Sequence, residues 1–117
     1  MFDIVTLKTP VTTAELKKRA AEGFGDIIKA VVDVESENIS IGGELHVDME
    51  IFMMENSNSL RSNTWGINLY PSKDGEEFIE FDSMINLKPA FGNRTRNVED
   101  LEIQEKIKRI VKKFILK

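Results

Sequence analysis

Polar residues at alternate positions in the middle of the chain are the ones whose types could do chemistry. His46 is the only histidine among the 117 residues, so any imidazole acid–base step must use it. Asp48, Asn68 and Asp82 share its even parity in segments that alternate polar with apolar residues, and alternate residues of a strand lie on one face. The full even-numbered polar set is Glu44, His46, Asp48, Glu50, Asn68, Tyr70, Glu80 and Asp82.

Three interpretations of this even face stay open. It is the solvated face that an antiparallel sheet carries by default, a groove for a ligand or partner, or a metal or catalytic site. A metal is disfavoured, because Glu80 and Asp82 would lie two strands from His46, about 10 Å away by strand spacing. No nucleophile elbow, dinucleotide-binding fingerprint or zinc-ligand spacing is present. We therefore expect no metal site and no cofactor, and we assign no catalytic residue.

A second candidate site is the loop at residues 92–97, directly before the last predicted helix. Arg94 and Arg96 stand one residue apart in this loop. Two guanidinium groups beside the free amides of a helix N-terminus could bind a carboxylate or a phosphate. The alternative is internal pairing of these arginines with Glu99, Asp100 or the sheet carboxylates. Both interpretations stay open.

Two helices must flank these segments. Thr12, followed three residues later by Glu15, forms a capping box, which predicts a helix over residues 13–22 that ends at Gly23. Asn97 is placed to cap a final amphipathic helix. The apolar stripe of this last helix comprises Ile103, Ile107, Ile110, Val111 and Phe114.

Strands are predicted wherever apolar and polar residues alternate. Residues 28–34, 65–70 and 79–87 show this alternation, with turns near Ser36 and at Asp74-Gly75. If the second turn centres on Asp74, the odd residues of the last two strands face one another. Together with the last helix they predict a core that contains Ile67, Leu69, Ile79, Phe81, Ile85 and Ile107.

Residues 45–55 are open to two assignments. The odd positions from residue 39 to 53 are apolar apart from one glycine, which predicts a strand bent at Gly42-Gly43. The same residues fit one face of a helix over 45–55. In the strand interpretation Phe52 and Met54 lie on the even face. There they mark a partner contact or are covered by the following loop.

These elements predict an α+β fold in a single domain over residues 1–117. The sheet is expected to be an antiparallel meander of about four strands, with a possible short strand at 4–7 and two helices packed on its odd-numbered face. The chain is 41% apolar and 31% charged, which is typical of an ordered domain. It has no cysteine, so disulfides and thiolate chemistry are excluded.

Charge and hydropathy limit the classes of partner that the protein is expected to bind. The net charge of −4 makes nucleic acid and anionic membranes unlikely ligands. The longest apolar runs span about four residues, against about 20 for a membrane span, and the first residues lack a secretory signal pattern. We therefore expect a cytoplasmic protein that does not bind a membrane.

Five segments carry a likeness to a known family. They are residues 29–34 (KAVVDV), 41–46 (IGGELH), 65–71 (WGINLYP), 80–86 (EFDSMIN) and 92–96 (GNRTR). In them the chain resembles a family of small prokaryotic proteins classed only as a domain of unknown function. The resemblance covers nearly the whole chain, although residues 56–63 differ from the Asp-Gly-Ser style turn of that family. It implies a prokaryotic cytoplasmic protein with no assigned activity, cofactor or catalytic residue.

The sequence thus favours a small binding or interaction module over an enzyme. Its partner is expected to be a protein or a small anionic ligand. The rival hypothesis is a small hydrolase or transferase that uses His46 with Asp48 or Asp82. The candidate ligand-binding residues are Arg94, Arg96, His46, Asp48, Asp82 and Asn68.

Overall fold

The computed structural model describes residues 2–117, which form strands and helices in the order ββαββαββαβ. This order agrees only in part with the expected one. The strands are β1 (Val5–Thr6), β2 (Val11–Thr12), β3 (Ile28–Asp33), β4 (Asn38–Ile41), β5 (Thr64–Leu69), β6 (Ile79–Glu80) and β7 (Ile115–Leu116). The helices are α1 (Thr13–Glu22), α2 (His46–Ser57) and α3 (Leu101–Phe114). Short 3₁₀ helices lie at Gly75–Glu77, Met84–Asn86 and Pro89–Phe91.

A five-stranded antiparallel sheet is the centre of the fold, which confirms the α+β class. Its strand order is β1-β4-β3-β5-β6, and every neighbouring pair is antiparallel. In a meander β4 would pair with β5. Instead both strands pair with β3, so β4 and β5 run parallel to each other and the chain between them crosses β3 through α2. A separate parallel pair joins β2 to β7.

Helix α1 begins and ends where the sequence predicts. The Thr12 side chain accepts a hydrogen bond from the Glu15 amide at 3.2 Å, and the Gly23 amide donates to the Ala20 carbonyl at 3.0 Å. These contacts satisfy backbone groups that a helix end leaves unpaired. Leu16 and Ala20, one turn apart, are buried against the sheet.

Of the two assignments open for residues 45–55, the helix is confirmed and the strand is wrong, because this segment lies in the helix α2. Met49 and Met53, one helical turn apart, are fully buried, as is most of Glu50 between them. Val47 and Ile51 lie on an exposed side of the helix, and these two residues completed the odd-numbered apolar pattern that imitates a strand. The helix ends at Asn58, whose positive φ of 55° suits a helix C-terminus.

The predicted strand at 79–87 is also shorter than expected. Leu69 pairs with Ile79 and Asn68 with Glu80 in the expected register, and pairing stops there. Ser83 then caps the 3₁₀ helix Met84–Asn86 by accepting a hydrogen bond from the Ile85 amide at 3.3 Å. A serine that caps a helical turn offers the backbone a competing structure, and this ends the strand.

The final helix starts later than predicted. Asp100, not Asn97, is its N-cap, since its carboxylate accepts a hydrogen bond from the Glu102 amide at 2.8 Å. Between the two residues Val98 is fully buried, and it anchors the chain before α3 begins.

Two hydrophobic clusters cover the two faces of the sheet. The larger contains residues of α1 and α3, and the smaller packs Met49 and Met53 of α2 against Val31. Helices α1 and α3 thus contribute to one cluster and α2 to the other. Of the predicted core residues, Ile67, Leu69, Ile85 and Ile107 are buried, whereas Ile79 and Phe81 are only half-buried. None of the helices within residues 2–117 is long and apolar enough to span a bilayer.

Candidate functional site

A group of polar side chains meets at the N-terminus of α2, beside β5 and β6. We call it the polar shelf. The shelf comprises His46, Asn68, Tyr70, Glu80, Asp82 and Arg96.

His46 is the first residue of α2 and is held by the neighbouring strand. Its Nε2 lies 2.8 Å from the Ile67 carbonyl oxygen, so Nε2 carries the hydrogen and donates it, and Nδ1 is the unprotonated nitrogen. Burial is the main cause that lowers the pKa of His46 below the usual 6.5, and the positive charge of Lys29 adds to it. The imidazole is therefore neutral at pH 7.

Asn68 is the centre of the shelf. Its Nδ2 donates to Glu80 Oε1 at 2.8 Å and to the Asp82 carbonyl oxygen at 3.3 Å. The same Glu80 oxygen accepts from the Tyr70 hydroxyl at 3.1 Å, and burial together with this contact raises the pKa of Tyr70. Asn68 Oδ1 is buried and accepts no hydrogen bond within residues 2–117. A protonated His46 ring would donate to this oxygen, which is why Asn68 raises the pKa of His46 against the larger lowering by burial.

Asp82 and Arg96 form an ion pair at the outer side of the shelf. Arg96 Nε donates to Asp82 Oδ1 at 2.6 Å, and the two side chains are 53% and 44% exposed. This contact uses only Nε, so the four N–H groups at the end of the guanidinium make no hydrogen bond within residues 2–117. Asp82 therefore fixes the direction of Arg96 and leaves its outer end available.

Residues 92–97, which we call the arginine loop, are irregular but tightly bonded. Asn93 is buried and its Nδ2 lies 2.7 Å from the Asn86 carbonyl, 3.1 Å from that of Thr95 and 2.7 Å from that of Asn97. Its Oδ1 accepts from the Glu99 amide at 2.9 Å. A single side chain thus ties both ends of the loop to its middle.

Asn86 also holds the arginine loop, and it does so by connecting the loop to the central sheet. Its Oδ1 accepts from the Gly66 amide at 2.8 Å, and its Nδ2 donates to the Gly66 carbonyl at 3.0 Å and to the Arg96 carbonyl at 2.9 Å. Gly66 lies in β5, so the backbone of Arg96 is connected to the central sheet through this one buried amide. The loop is fixed although it has no regular secondary structure.

The backbone donors at the start of the arginine loop are occupied by the chain itself. Glu99 Oε2 accepts from the Arg94 amide at 2.7 Å and from the Thr95 hydroxyl at 3.0 Å, and the first of these bonds is the main cause of the lowered pKa of Glu99. The guanidinium of Arg94 makes no hydrogen bond or ion pair within residues 2–117, apart from the weaker attraction of Glu99. The α3 N-terminus, capped by Asp100, is not part of the loop.

Four of the six candidate residues are brought together and two are placed differently. His46, Asn68, Asp82 and Arg96 belong to the shelf, and Arg94 is two residues from Arg96 with its side chain exposed. Asp48 is exposed in the first turn of α2 and shares no hydrogen bond with the shelf within residues 2–117.

Glu50, another residue of the predicted even face, is buried one helical turn after His46. It accepts a hydrogen bond from the Thr64 hydroxyl at 2.6 Å and lies 3.8 Å from Lys88 Nζ, which donates to the Ile85 carbonyl. Burial is the main cause that lowers the pKa of Lys88. Because both charged groups are paired and hydrogen-bonded, this cluster is an internal contact of the fold. Residues 2–117 contain no group of three acidic or histidine side chains arranged to hold a metal ion.

Sequence reasoning missed the two buried asparagines, Asn86 and Asn93. Their signal is weak, because asparagine is common in loops. Asn86 is hidden by its place in the alternating segment 79–87. Asn93 could have been singled out, because it lies in a segment with neither apolar alternation nor helical spacing. Such a segment can be ordered only by side chains that bond to backbone groups.

No curated protein and no solved structure matches this chain. A family model described as Protein of unknown function (DUF5674) matches residues 5–114, which include the shelf and the arginine loop. The chain therefore belongs to that family.

Proposed function

We propose that this protein is a small binding module that recognises an anionic group of a ligand or partner with Arg94 and Arg96. The observation that carries the proposal is the outer end of Arg96, which is aimed by Asp82 and has no acceptor within residues 2–117. Arg94, two residues away, has an exposed side chain with no hydrogen bond in the same range. Two planar donor groups at this spacing suit a carboxylate or a phosphate.

The rigidity of the arginine loop supports this function. Binding is costly when a loop must be ordered at the same time, and a loop already fixed avoids that cost. Asn86 and Asn93 fix the backbone on both sides of Arg94 and Arg96 before any ligand arrives. The sheet does not need this exposed loop to be ordered, yet two buried asparagines hold it. Loops held by a rigid scaffold often carry binding residues.

Titration with inorganic phosphate, followed by amide NMR of the full chain at low salt, tests the proposal. We expect saturable shifts at residues 93–97, which Arg94→Ala or Arg96→Ala abolishes. Both variants should remain folded, because an ion pair as exposed as Arg96–Asp82 contributes at most about 1 kcal/mol. Arg109→Ala removes an exposed arginine from α3 and serves as the matched control. Absence of a saturable shift, or shifts that survive both substitutions, would refute the proposal.

An acid–base enzyme that uses His46 with Asp82 is the second candidate. It is favoured by one observation, since both residues lie beside Asn68 and His46 is neutral at pH 7. It is weakened by another, since His46 Nε2 is already bonded to the Ile67 carbonyl. The variant His46→Gln separates the two functions. A binding module should lose about 1 kcal/mol of affinity or less, whereas loss of a general acid–base costs about 10²–10⁴ in rate.

A further inference from the structure

An apolar groove lies on the opposite side of β6 from the polar shelf. It runs between β6 and the C-terminal half of α3 and has a volume of about 920 Å³. Ile79 and Phe81 line it, whereas Glu80 and Asp82, which alternate with them, belong to the shelf. The remaining apolar walls are Phe78, Val111, Ile115 and Leu116.

The groove borders a free strand edge. Within residues 2–117, β6 is the last strand of the sheet and pairs only with β5. The Tyr70 amide donates to the Phe78 carbonyl. The hydrogen-bonded pairs between the two strands are therefore Phe78 with Tyr70 and Glu80 with Asn68. In an antiparallel pair the residue between them has its backbone N–H and C=O turned outward. Ile79 therefore offers a donor and an acceptor to a further strand.

Lysines stand along the helix side of this groove. Lys108, Lys112 and Lys117 line it, and Glu76 is the one acidic residue among its lining residues. Lys117 is paired with Asp74 at 2.7 Å and Lys108 lies 4.0 Å from Glu105, whereas Lys112 forms no ion pair within residues 2–117. The rim is thus locally basic although the chain has a net charge of −4.

We propose that this groove binds an extended acidic peptide segment of a partner protein, which pairs with the outer edge of β6. Its backbone would bond to Ile79, its apolar side chains would enter the groove, and acidic side chains on the same face would reach Lys112. This mode combines main-chain pairing for affinity with side-chain pockets for specificity.

A second copy of this chain fits the groove less well. If β6 paired with β6 of another copy, the side chains that entered the groove would be the apolar Ile79 and Phe81. The carboxylates of Glu80 and Asp82 would fall on the other face, away from the lysines. The basic rim therefore indicates a partner with a different pattern, in which apolar and acidic residues alternate along one face.

The test uses the full chain and two synthetic peptides. In TVTETVTE the valines and glutamates share one face when the peptide is extended, and TVTKTVTK carries lysines in place of the glutamates. Amide NMR should show saturable shifts at Ile79, Phe81, Val111 and Lys112 with the acidic peptide, and much weaker ones with the basic peptide. Lys112→Glu should weaken binding about tenfold at low salt. Lys106→Glu is the matched control, since Lys106 is an exposed lysine of the same helix that does not line the groove.

Several results would overturn the proposal. The first is absence of saturable shifts at millimolar peptide, and the second is equal binding of both peptides or equal effects of Lys106→Glu and Lys112→Glu. Shifts centred on residues 92–97 would assign acidic peptides to the arginine loop instead. A monomer–dimer equilibrium that blocks the peptide would assign the groove to a second copy. The phosphate titration with Arg94→Ala is independent of all these outcomes.

Discussion

At the scale of single residues, the shelf brings together side chains that come from a helix, from two strands and from a loop. The sequence pattern predicted that His46, Asn68 and Asp82 share a face, and they do lie together. The reason is different for His46, which reaches the shelf from the first turn of α2 and not from a strand. Parity could identify Asn68 and Glu80 because β5 and β6 are strands, and it misplaced Asp48 and Glu50 because a helix turns its residues by 100° each.

The pKa of His46 makes the stability of the fold depend on pH. Since burial lowers this pKa below 6.5, the unfolded chain binds the proton more readily than the folded protein does. Stability should therefore fall as the pH drops through about 6.5, and His46→Gln should flatten the dependence between about pH 5 and 7. Urea unfolding at several pH values measures this. The Cε1 proton of this only histidine, followed by proton NMR, gives the pKa directly, and a midpoint at or above 6.5 would contradict the prediction.

Gly66 is a position where one methyl group should disturb the shelf. A Cβ built on Gly66 would lie 2.5 Å from Cβ and Oγ of Ser83 and 3.1 Å from Cδ2 of His46. We expect Gly66→Ala to lower the free energy of unfolding by about 1–3 kcal/mol, as overpacking usually does. In a Ser83→Gly background the same substitution should cost less. Equal costs in both backgrounds, measured by denaturant unfolding, would show that the contact with Ser83 is not the cause.

At the scale of elements, α1 could be predicted to the residue while α2 could not. Helix α1 has a capping box and a terminal glycine, both of which act through local hydrogen bonds. Helix α2 has no side-chain cap at Leu45, and its buried face is only Met49, Glu50 and Met53. A helix with so narrow a buried face, and with apolar residues also on its exposed side, fits the strand pattern as well as the helical one, so the sequence leaves both assignments open.

The arginine loop should lose its order when Asn93 is replaced. Asn93→Ala removes the side chain that bonds to three carbonyl groups and to the Glu99 amide, so buried backbone groups lose their partners. We expect a loss of about 1–3 kcal/mol of stability together with increased amide exchange over residues 92–97. Asn97→Ala is the control within the same loop, since Asn97 is exposed. If both substitutions cost the same, the loop is not held by Asn93.

At the scale of the whole molecule, the antiparallel sheet could be predicted and the order of its strands could not. Alternation shows that a segment is a strand and which residues share a face, but not which strand lies beside it. The order was decided by α2, because a helix after β4 lets the chain cross β3 and return on its other side. With residues 45–55 as a strand, a meander is the simplest arrangement.

The two faces of the sheet should unfold as one unit, because the central strand β3 contributes Val32 to the larger cluster and Val31 to the smaller one. Met53→Ala, in the smaller cluster, is expected to cost about 2–5 kcal/mol. Met54 is 38% exposed, so Met54→Ala should change stability by only about 0.5 kcal/mol. Trp65 fluorescence, which reports on the larger cluster, and far-ultraviolet circular dichroism should give the same midpoint for each variant. Separate midpoints for Met53→Ala would show that α2 melts alone.

The two hydrogen bonds between the Asn86 side chain and Gly66 also bear on aggregation. Beyond the short β6, strand β5 would present an unpaired row of backbone groups, the kind of edge through which sheets of different molecules join. The Asn86 amide occupies both the N–H and the C=O of Gly66 and so ends the ladder with a side chain in place of a strand. Asn86, which connects the arginine loop to the sheet, thus also protects β5 from pairing with another molecule. Variants that lose it should be judged by their solubility as well as by their stability.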